Sequence, residues 1–159
     1  MQYNKHALKI FGILYSSFYF GILGYLVFFA RRRRHGHFNY EVNFVPIKNN
    51  VNTFLSMNKN DKFEVFNFFL NLFGNILLFV PFSIILLRVF KMDRLRFILL
   101  WATLLSVFIE LNQYIFQVGY PDIDDVILNL SGACLGFFLY KLLLQSKFLA
   151  YSIRQNDLS

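Results

Sequence analysis

The sequence predicts an all-α integral membrane protein whose four transmembrane helices form a bundle. Hydrophobic residues make up 57% of the chain and charged residues only 16%, against the roughly 25% typical of soluble domains. Four segments also approach the ~20 apolar residues that a helix needs to cross a bilayer. A soluble fold of 159 residues could not bury this much apolar surface, so we expect one membrane domain over residues 1–159.

The first predicted transmembrane helix covers residues 8–30, which carry no charge after Lys9. A cleaved signal peptide would have a shorter apolar core and a small-residue cleavage site, so we expect this helix to be retained. Four consecutive arginines at positions 31–34 cannot continue into hydrocarbon and mark its end.

The loop of residues 31–62 is rich in asparagine, yet four of its apolar residues recur at helical spacing. They are Ile47, Val51, Phe54 and Leu55, with polar residues between them. This pattern is typical of a short amphipathic helix that lies on the membrane surface. We therefore expect a short interfacial helix in this first loop.

Three more transmembrane helices are predicted at residues 64–87, 97–118 and 124–144. Asn60 or Asp61 is expected to cap the first of them, and Pro81 to kink it unless a neighbour satisfies the freed carbonyl. Asp122 is a suitable N-cap for the last helix. The polar tail from Gln145 onward is expected to be loosely ordered.

Four crossings place both termini on one side of the membrane. Lysine and arginine are shared almost evenly between the two sets of loops. Taken helix by helix, the last three favour cytoplasmic termini, whereas the first, with four arginines at its far end, favours the opposite orientation. We expect a multi-pass protein of the cell membrane with cytoplasmic N- and C-termini.

Each of the last three predicted helices carries a polar stripe, because polar or small residues recur every three or four positions. The stripes comprise Asn67, Asn71 and Asn75 in residues 64–87, Ser106, Glu110, Gln113 and Gln117 in residues 97–118, and Asp125, Asn129, Gly132, Ala133 and Gly136 in residues 124–144. At ~1.5 Å per residue, the polar members lie at similar depths in one half of the bilayer. We therefore expect the three stripes to meet, with the small residues allowing close approach.

Glu110, with Gln113 one turn further on, is the strongest candidate for a functional role. A charge inside the bilayer is costly, and a neutral carboxyl group there still needs partners. The alternative for the amides is packing, because Asn and Gln often hydrogen-bond between membrane helices. We favour packing for Asn67, Asn75 and Gln117.

The carboxylates that follow Pro121 have a simpler alternative, which is solvated capping of the last helix. Capping explains Asp122 and in part Asp124. It does not explain Asp125, which shares the polar stripe of its helix with Asn129.

The sequence lacks the residue patterns that several kinds of catalytic or metal-binding site require. His6, His35 and His37 all flank the first helix, so the stripes hold no histidine for a His-ligated zinc or a His-based phosphatase. The single cysteine, Cys134, cannot form a disulfide within a monomer. No Walker loop or G-x-S-x-G motif occurs. We expect no cofactor and no bound metal, although the carboxylates and amides of the stripes could hold a hard cation.

The net charge of +7 indicates an anionic partner. Because the basic residues flank apolar segments, this partner is expected to be membrane lipid and not nucleic acid. The four consecutive arginines after the first helix are most simply a topological stop signal, because such runs most often are. On the outer face of the membrane they could also bind the phosphates of a lipid or lipid-linked precursor. The residues concerned are Arg31, Arg32, Arg33 and Arg34.

Taken together, these residues resemble the VanZ-like family of bacterial membrane proteins, from about Asn43 to Gly136. VNFVPI at 42–47 resembles the family's N-L-I-P-F segment, and NLFGNILLFVPF at 71–82 its N-x-x-x-N-x-x-x-F-x-P block. Glu110 and Gln113, followed by DIDDVILNLSGACLG, resemble its third and fourth helices. Many relatives carry an Arg a few residues before the D-I-D-D run, where this chain reads VGYP at 118–121.

The resemblance implies a multi-pass membrane fold and a cell-envelope context. The family takes its name from a factor associated with low-level resistance to the glycopeptide antibiotic teicoplanin, and no settled biochemical activity comes with it.

Two hypotheses for the function follow. The first is a non-enzymatic envelope protein that binds an amphiphilic ligand, such as a glycopeptide, a lipopeptide or a lipid-linked wall precursor, and contributes to antibiotic tolerance. Its predicted ligand-binding residues are Asn71, Asn75, Glu110, Gln113, Asp125 and Asn129. The second is an intramembrane enzyme acting on a lipid headgroup, with Glu110 as general base and Asp122 and Asp125 holding a metal. A small transporter is disfavoured unless the chain oligomerises.

Overall fold

In the computed structural model, the described part of the chain covers residues 2–27, 43–116 and 121–156. It contains five helices, which are α1 (Gln2–Tyr25), α2 (Lys48–Ser56), α3 (Lys62–Arg88), α4 (Leu95–Ile115) and α5 (Ile123–Asn156). These ranges hold no strand, only an isolated backbone bridge between Asn43 and Asp122, so the all-α prediction is confirmed for them. The predictions made for Arg31, Arg32, Arg33, Arg34, His35, His37 and Gln117 fall outside the described residues.

Three helices are long and apolar enough to cross a membrane, namely α3, α4 and the Ile123–Ser146 part of α5. In α1 the apolar part found within the described residues is shorter, Ile10–Tyr25. The predicted count of four crossings is therefore not confirmed. At most 39% of each apolar window is buried, and large apolar side chains cover much of the exposed remainder, as expected of helices that face lipid.

Local hydrogen bonds fix the start of α3. The carboxylate of Asp61 accepts hydrogen bonds from the backbone N–H groups of Phe63 and Glu64, so Asp61 is the N-cap. The side chain of Glu64 in turn accepts from the N–H of Asn58, which closes the preceding loop onto the helix. From this cap α3 continues as one helix through Pro81.

α1 packs antiparallel to α3. The hydroxyl of Tyr19 donates to the carbonyl oxygen of Leu78 at 3.0 Å. Nearer the start of α1, a Cβ atom at Gly12 would lie 3.4 Å from the side chain of Val89. Residues later in α1 therefore contact residues earlier in α3. The end of α1 lies beside the first half of α3.

α3 and α5 pack parallel to each other and in direct backbone contact. A Cβ atom at Gly132 would lie 2.0 Å from the carbonyl oxygen of Ile76, and one at Gly136 would lie 2.5 Å from that of Val80. Because Cβ atoms essentially never come this close to an atom of another helix, only glycine fits at either position without a shift of the backbone. The small-residue stripe predicted from the sequence lies at this interface.

The bundle has an apolar end and a polar end. Phe79, Ile85 and Ile98 are among the fully buried side chains of the apolar end. Ser83 is also fully buried at this end, and its hydroxyl donates to the carbonyl oxygen of Ala133 at 2.7 Å. The other buried polar side chains within the described ranges belong to the middle of α3, the second half of α4 and the first turns of α5.

The first loop contains a short helix, and the last helix is longer than predicted. α2 forms within the first loop, as the apolar spacing predicts, and has no buried residue; its location at the membrane interface remains a prediction. α5 continues beyond residue 144 to Asn156. The expectation of a loosely ordered tail from Gln145 is therefore wrong up to Asn156, and the physical reason is that this segment holds no Gly or Pro to end the helix.

Candidate functional site

Most of the polar side chains that the sequence analysis identifies as candidate site residues lie at the polar end of the bundle. The buried polar residues there are Asn75, Ser106, Glu110, Gln113, Asp124, Asp125 and Asn129. They come from three helices, and α4 runs antiparallel to α5, so the second half of α4 faces the first turns of α5. The three polar stripes therefore meet, as their spacing and depth predict.

Glu110 ties α4 to the start of α5. Its Oε2 accepts a hydrogen bond from the backbone N–H of Asp122 at 3.0 Å, and the residue is only 6% exposed. Gln113, one turn further along α4, is 1% exposed. A carboxyl group this well buried needs hydrogen-bond donors, and the N–H just before α5 supplies one of them.

Two further pairs link the helices. Nδ2 of Asn75 on α3 donates to Oδ1 of Asp125 on α5 at 2.6 Å. Nδ2 of Asn129 on α5 donates to the hydroxyl oxygen of Ser106 on α4 at 2.8 Å. The preference for a packing role of Asn75 is consistent with its bond to Asp125, although Asn75 also lines the pocket described next.

A pocket of about 230 Å³ lies between α1, α3, α4 and α5. Its floor is polar and buried, and includes Glu110, Gln113 and Asn129. Its exposed lining residues are Leu26, just beyond the end of α1, and Leu70 and Asn71 of α3. Leu26 and Leu70 are 38% and 44% exposed. The exposed part of the lining therefore consists of two leucines and one asparagine, and the interior is hydrogen-bonding.

The six predicted ligand-binding residues lie together in this region. Five of them line the pocket, namely Asn71, Asn75, Glu110, Gln113 and Asn129. The sixth, Asp125, is hydrogen-bonded to the pocket residue Asn75. The structure brings the six residues to one place, whereas their binding role remains a prediction.

Asn129 has an unused hydrogen-bonding atom. Its Nδ2 bonds to Ser106, but its buried Oδ1 has no hydrogen-bond partner among the residues that the structure describes. Asn129 is 4% exposed and lines the pocket. An acceptor without a partner in such a place is costly unless a bound molecule or water supplies a donor.

The carboxylates of Asp122 and Asp124 hold the first loop against the start of α5. Asp124 accepts hydrogen bonds from the N–H of Ile47 and from both the N–H and the Nδ2 of Asn50, the last two at 3.2 and 3.1 Å. Asp122 accepts from Nδ2 of Asn43 at 2.8 Å. We call this set of contacts the loop clamp.

The loop clamp corrects one expectation from the sequence. Asp122 does cap α5, because its Oδ1 accepts from the N–H of Asp124 at 2.9 Å. Solvated capping is wrong for Asp124, which is 2% exposed and binds the N-terminus of α2. The partners Asn43 and Asn50 were missed as site residues, and the only sequence signal for them is that Asn43 belongs to the VNFVPI segment.

Asp122 and Asp125, the carboxylates proposed to hold a metal, each accept hydrogen bonds from asparagine side chains. Asp122 binds loop amides, including Nδ2 of Asn49 at 2.9 Å, while Asp125 binds Asn75. Within the described ranges, no three His, Cys, Asp or Glu side chains lie close enough together to hold a metal ion.

Comparison with known proteins gives two matches. A family model described as VanZ/LLP1 matches residues 16–144. Among curated proteins, the chain is similar to Protein VanZ of Enterococcus faecium, with 37% identity over 78 residues, or 46% of this chain and 46% of that protein. The match thus spans about half the length of this relative. No solved structure matches the chain.

Proposed function

This chain belongs to the VanZ/LLP1 family, and from that premise we propose that it is a multi-pass cell-envelope protein that binds an amphiphilic ligand in the pocket between α1, α3, α4 and α5. Through this binding it contributes to tolerance of glycopeptide antibiotics such as teicoplanin. The protein acts by binding and not by catalysis.

The observation that carries the proposal is the polarity of the pocket. Glu110, Gln113 and Asn129 form a buried floor, while the outer lining includes Leu26 and Leu70. In a membrane, a hydrogen-bonding cavity whose rim is mainly apolar suits a molecule whose polar end enters the protein while its apolar part stays in lipid. An ionisable residue such as Glu110 inside a membrane helix bundle indicates a functional site.

The helix directions support a bundle that spans the membrane with the pocket in one leaflet. α1 and α3 are antiparallel, α4 and α5 are antiparallel, and α3 and α5 are parallel, as four successive crossings require. With cytoplasmic termini, the pocket and the loop clamp lie in the outer half of the bilayer. There the ligand is reached from the cell-wall side.

The decisive experiment fills the pocket without touching its polar groups. Gly74 lines the pocket, and a Cβ atom there would have no heavy atom within 4 Å. Gly74→Leu therefore places a side chain in the cavity and leaves the packing of the helices intact. We expect this variant to lose the protein's effect on teicoplanin susceptibility in cells and to bind added amphiphiles at least about tenfold more weakly, the loss of roughly 1.4 kcal/mol.

Gly21→Leu is the matched control. Gly21 lies on α1 outside the pocket, and a Cβ atom there also has no heavy atom within 4 Å. The control should behave as the wild-type protein does, with equal amounts of both variants in the membrane. If Gly74→Leu protects cells and binds amphiphiles as well as Gly21→Leu does, the pocket is not the functional site.

Glu110→Gln tests the chemistry of the floor. The substitution keeps the shape of the side chain and removes the ability to carry a charge. We expect weaker ligand binding and weaker tolerance with unchanged membrane insertion, because the carboxyl group is buried in the pocket lining. Unchanged binding and tolerance would contradict a role for this carboxyl group.

A further inference from the structure

We propose that the pocket holds the small, hydroxyl-bearing head of a membrane lipid, such as the glycerol of a monoacylglycerol or diacylglycerol, with a hydroxyl donating to Oδ1 of Asn129. This inference rests on the proposed function, because it names the class of amphiphile that the same pocket takes. Three features of the pocket support it, namely its size, its unused acceptor and its lining.

The size of the pocket limits the head group. An engineered cavity of about 150 Å³ holds benzene, so in proportion the 230 Å³ here accommodates about nine non-hydrogen atoms. A glycerol head fits within this limit. The core of a glycopeptide and the disaccharide of a wall precursor are far larger, so neither can enter the pocket as a whole.

The unused acceptor defines the chemistry of the head. Oδ1 of Asn129 is buried without a hydrogen-bond partner among the described residues, while Nδ2 of the same amide is held by Ser106. In this arrangement Ser106 occupies Nδ2, and Oδ1 is left for a donor from the occupant of the pocket. A hydroxyl group is the smallest donor that a lipid head can offer there.

The lining favours an uncharged head over a phosphate. It contains the carboxyl group of Glu110 and, among the residues that the structure describes, no lysine or arginine. A lipid phosphate beside Asn129 would lie close to that carboxyl group, and the described residues of the lining supply no cation to offset the repulsion. An alcohol meets no such penalty, and its acyl chain can leave past Leu26 and Leu70 into the bilayer.

The proposal is tested by displacement of a fluorescent monoacylglycerol from the purified full-length protein in detergent. The competitors are monoolein, methyl oleate, which has the same chain and no donor, and dioleoyl phosphatidylglycerol. For wild type we expect monoolein to compete at least about tenfold better than either of the others, a difference of roughly 1.4 kcal/mol. Asn129→Leu should lose this preference for monoolein over methyl oleate, while Asn129→Asp, which keeps acceptor oxygens, should retain it.

The outcomes separate this inference from the proposed function. Equal competition by monoolein and methyl oleate, or an unchanged preference in Asn129→Leu, would overturn the hydroxyl contact. Tighter binding of phosphatidylglycerol than of monoolein would overturn the class of head group. In both cases loss of binding in Gly74→Leu still supports an amphiphile pocket, whereas probe binding that Gly74→Leu leaves unchanged would overturn the pocket and the inference together. Gel filtration and circular dichroism establish that each variant is folded.

Discussion

Release of α2 is the expected result of replacing Asp124 by Asn. Asp124 is 2% exposed and accepts three hydrogen bonds, from Ile47 N–H and from two groups of Asn50. Asn has one acceptor oxygen and an NH2 donor in place of the second oxygen, so either the bond from Ile47 or the two bonds from Asn50 are lost, and any that remain become neutral. Hydrogen bonds to a charged group contribute about 1.5–3 kcal/mol and neutral ones about 0.5–1.5, so the change removes at least roughly 1 kcal/mol from each bond. The loop clamp then weakens by about 3 kcal/mol, which raises the open population of α2 by about a hundredfold.

The measurement is hydrogen exchange followed by mass spectrometry on the protein in lipid nanodiscs. Peptides covering residues 43–57 should exchange about a hundredfold faster in Asp124→Asn, in keeping with a loss of about 3 kcal/mol. Peptides from the second half of α3 should be unchanged, because the apolar end of the bundle is independent of the clamp. Asp93→Asn, an exposed aspartate in the loop before α4, makes the same change of charge as a control. If residues 43–57 of Asp124→Asn exchange hydrogen at the wild-type rate, this account of the loop clamp is refuted.

Three further results are expected. Gly132→Ala should prevent folding or lower the yield of monodisperse protein sharply, because its Cβ would lie 2.0 Å from the carbonyl oxygen of Ile76. Ser83→Ala should lower stability by about 1 kcal/mol through loss of a buried hydrogen bond, measured by thermal unfolding in detergent. Single cysteines placed in a cysteine-free protein should report the orientation, with Asn58→Cys labelled by an impermeant reagent in intact cells and Asp93→Cys labelled only after permeabilisation.

Each of these results has a matched control or a clear contradiction. Gly21→Ala adds the same methyl group where nothing lies within 4 Å, so it should fold normally. Ser131→Ala removes an exposed hydroxyl that bonds to a carbonyl of its own helix, so it should cost less than Ser83→Ala. Labelling of Asp93→Cys in intact cells together with protection of Asn58→Cys would reverse the proposed orientation.

The helices and the meeting of the polar stripes could be predicted from the sequence because two simple constraints restrict them. A segment that crosses hydrocarbon must be apolar for about 20 residues. Polar residues that lie at the same depth on stripes of neighbouring helices are expected to face one another. These constraints are enough to bring Asn75, Glu110, Asp125 and Asn129 together. The glycines of α5 likewise predict close packing, although not which helix they contact.

The loop clamp and the outer wall of the pocket could not be predicted in this way. Asp124 bonds to Ile47 and Asn50, which are 77 and 74 positions away. No periodicity relates an asparagine-rich loop to a carboxylate at such a separation, so capping is the simplest explanation of the sequence alone. The part that Leu26 plays at the mouth similarly depends on how α1 lies against α3, which the apolar residues around most of its Ile10–Tyr25 part do not specify.

The backbone contact between α3 and α5 has a genetic consequence. At Gly132 and Gly136 the atom that excludes a side chain is a carbonyl oxygen of Ile76 or Val80, which every amino acid possesses. No exchange of side chains on α3 can therefore make room for a larger residue at either glycine. Selections for second-site suppressors of Gly132→Ala should return revertants or changes that move the whole helix, while the side chains of Ile76 and Val80 themselves tolerate replacement by other apolar residues.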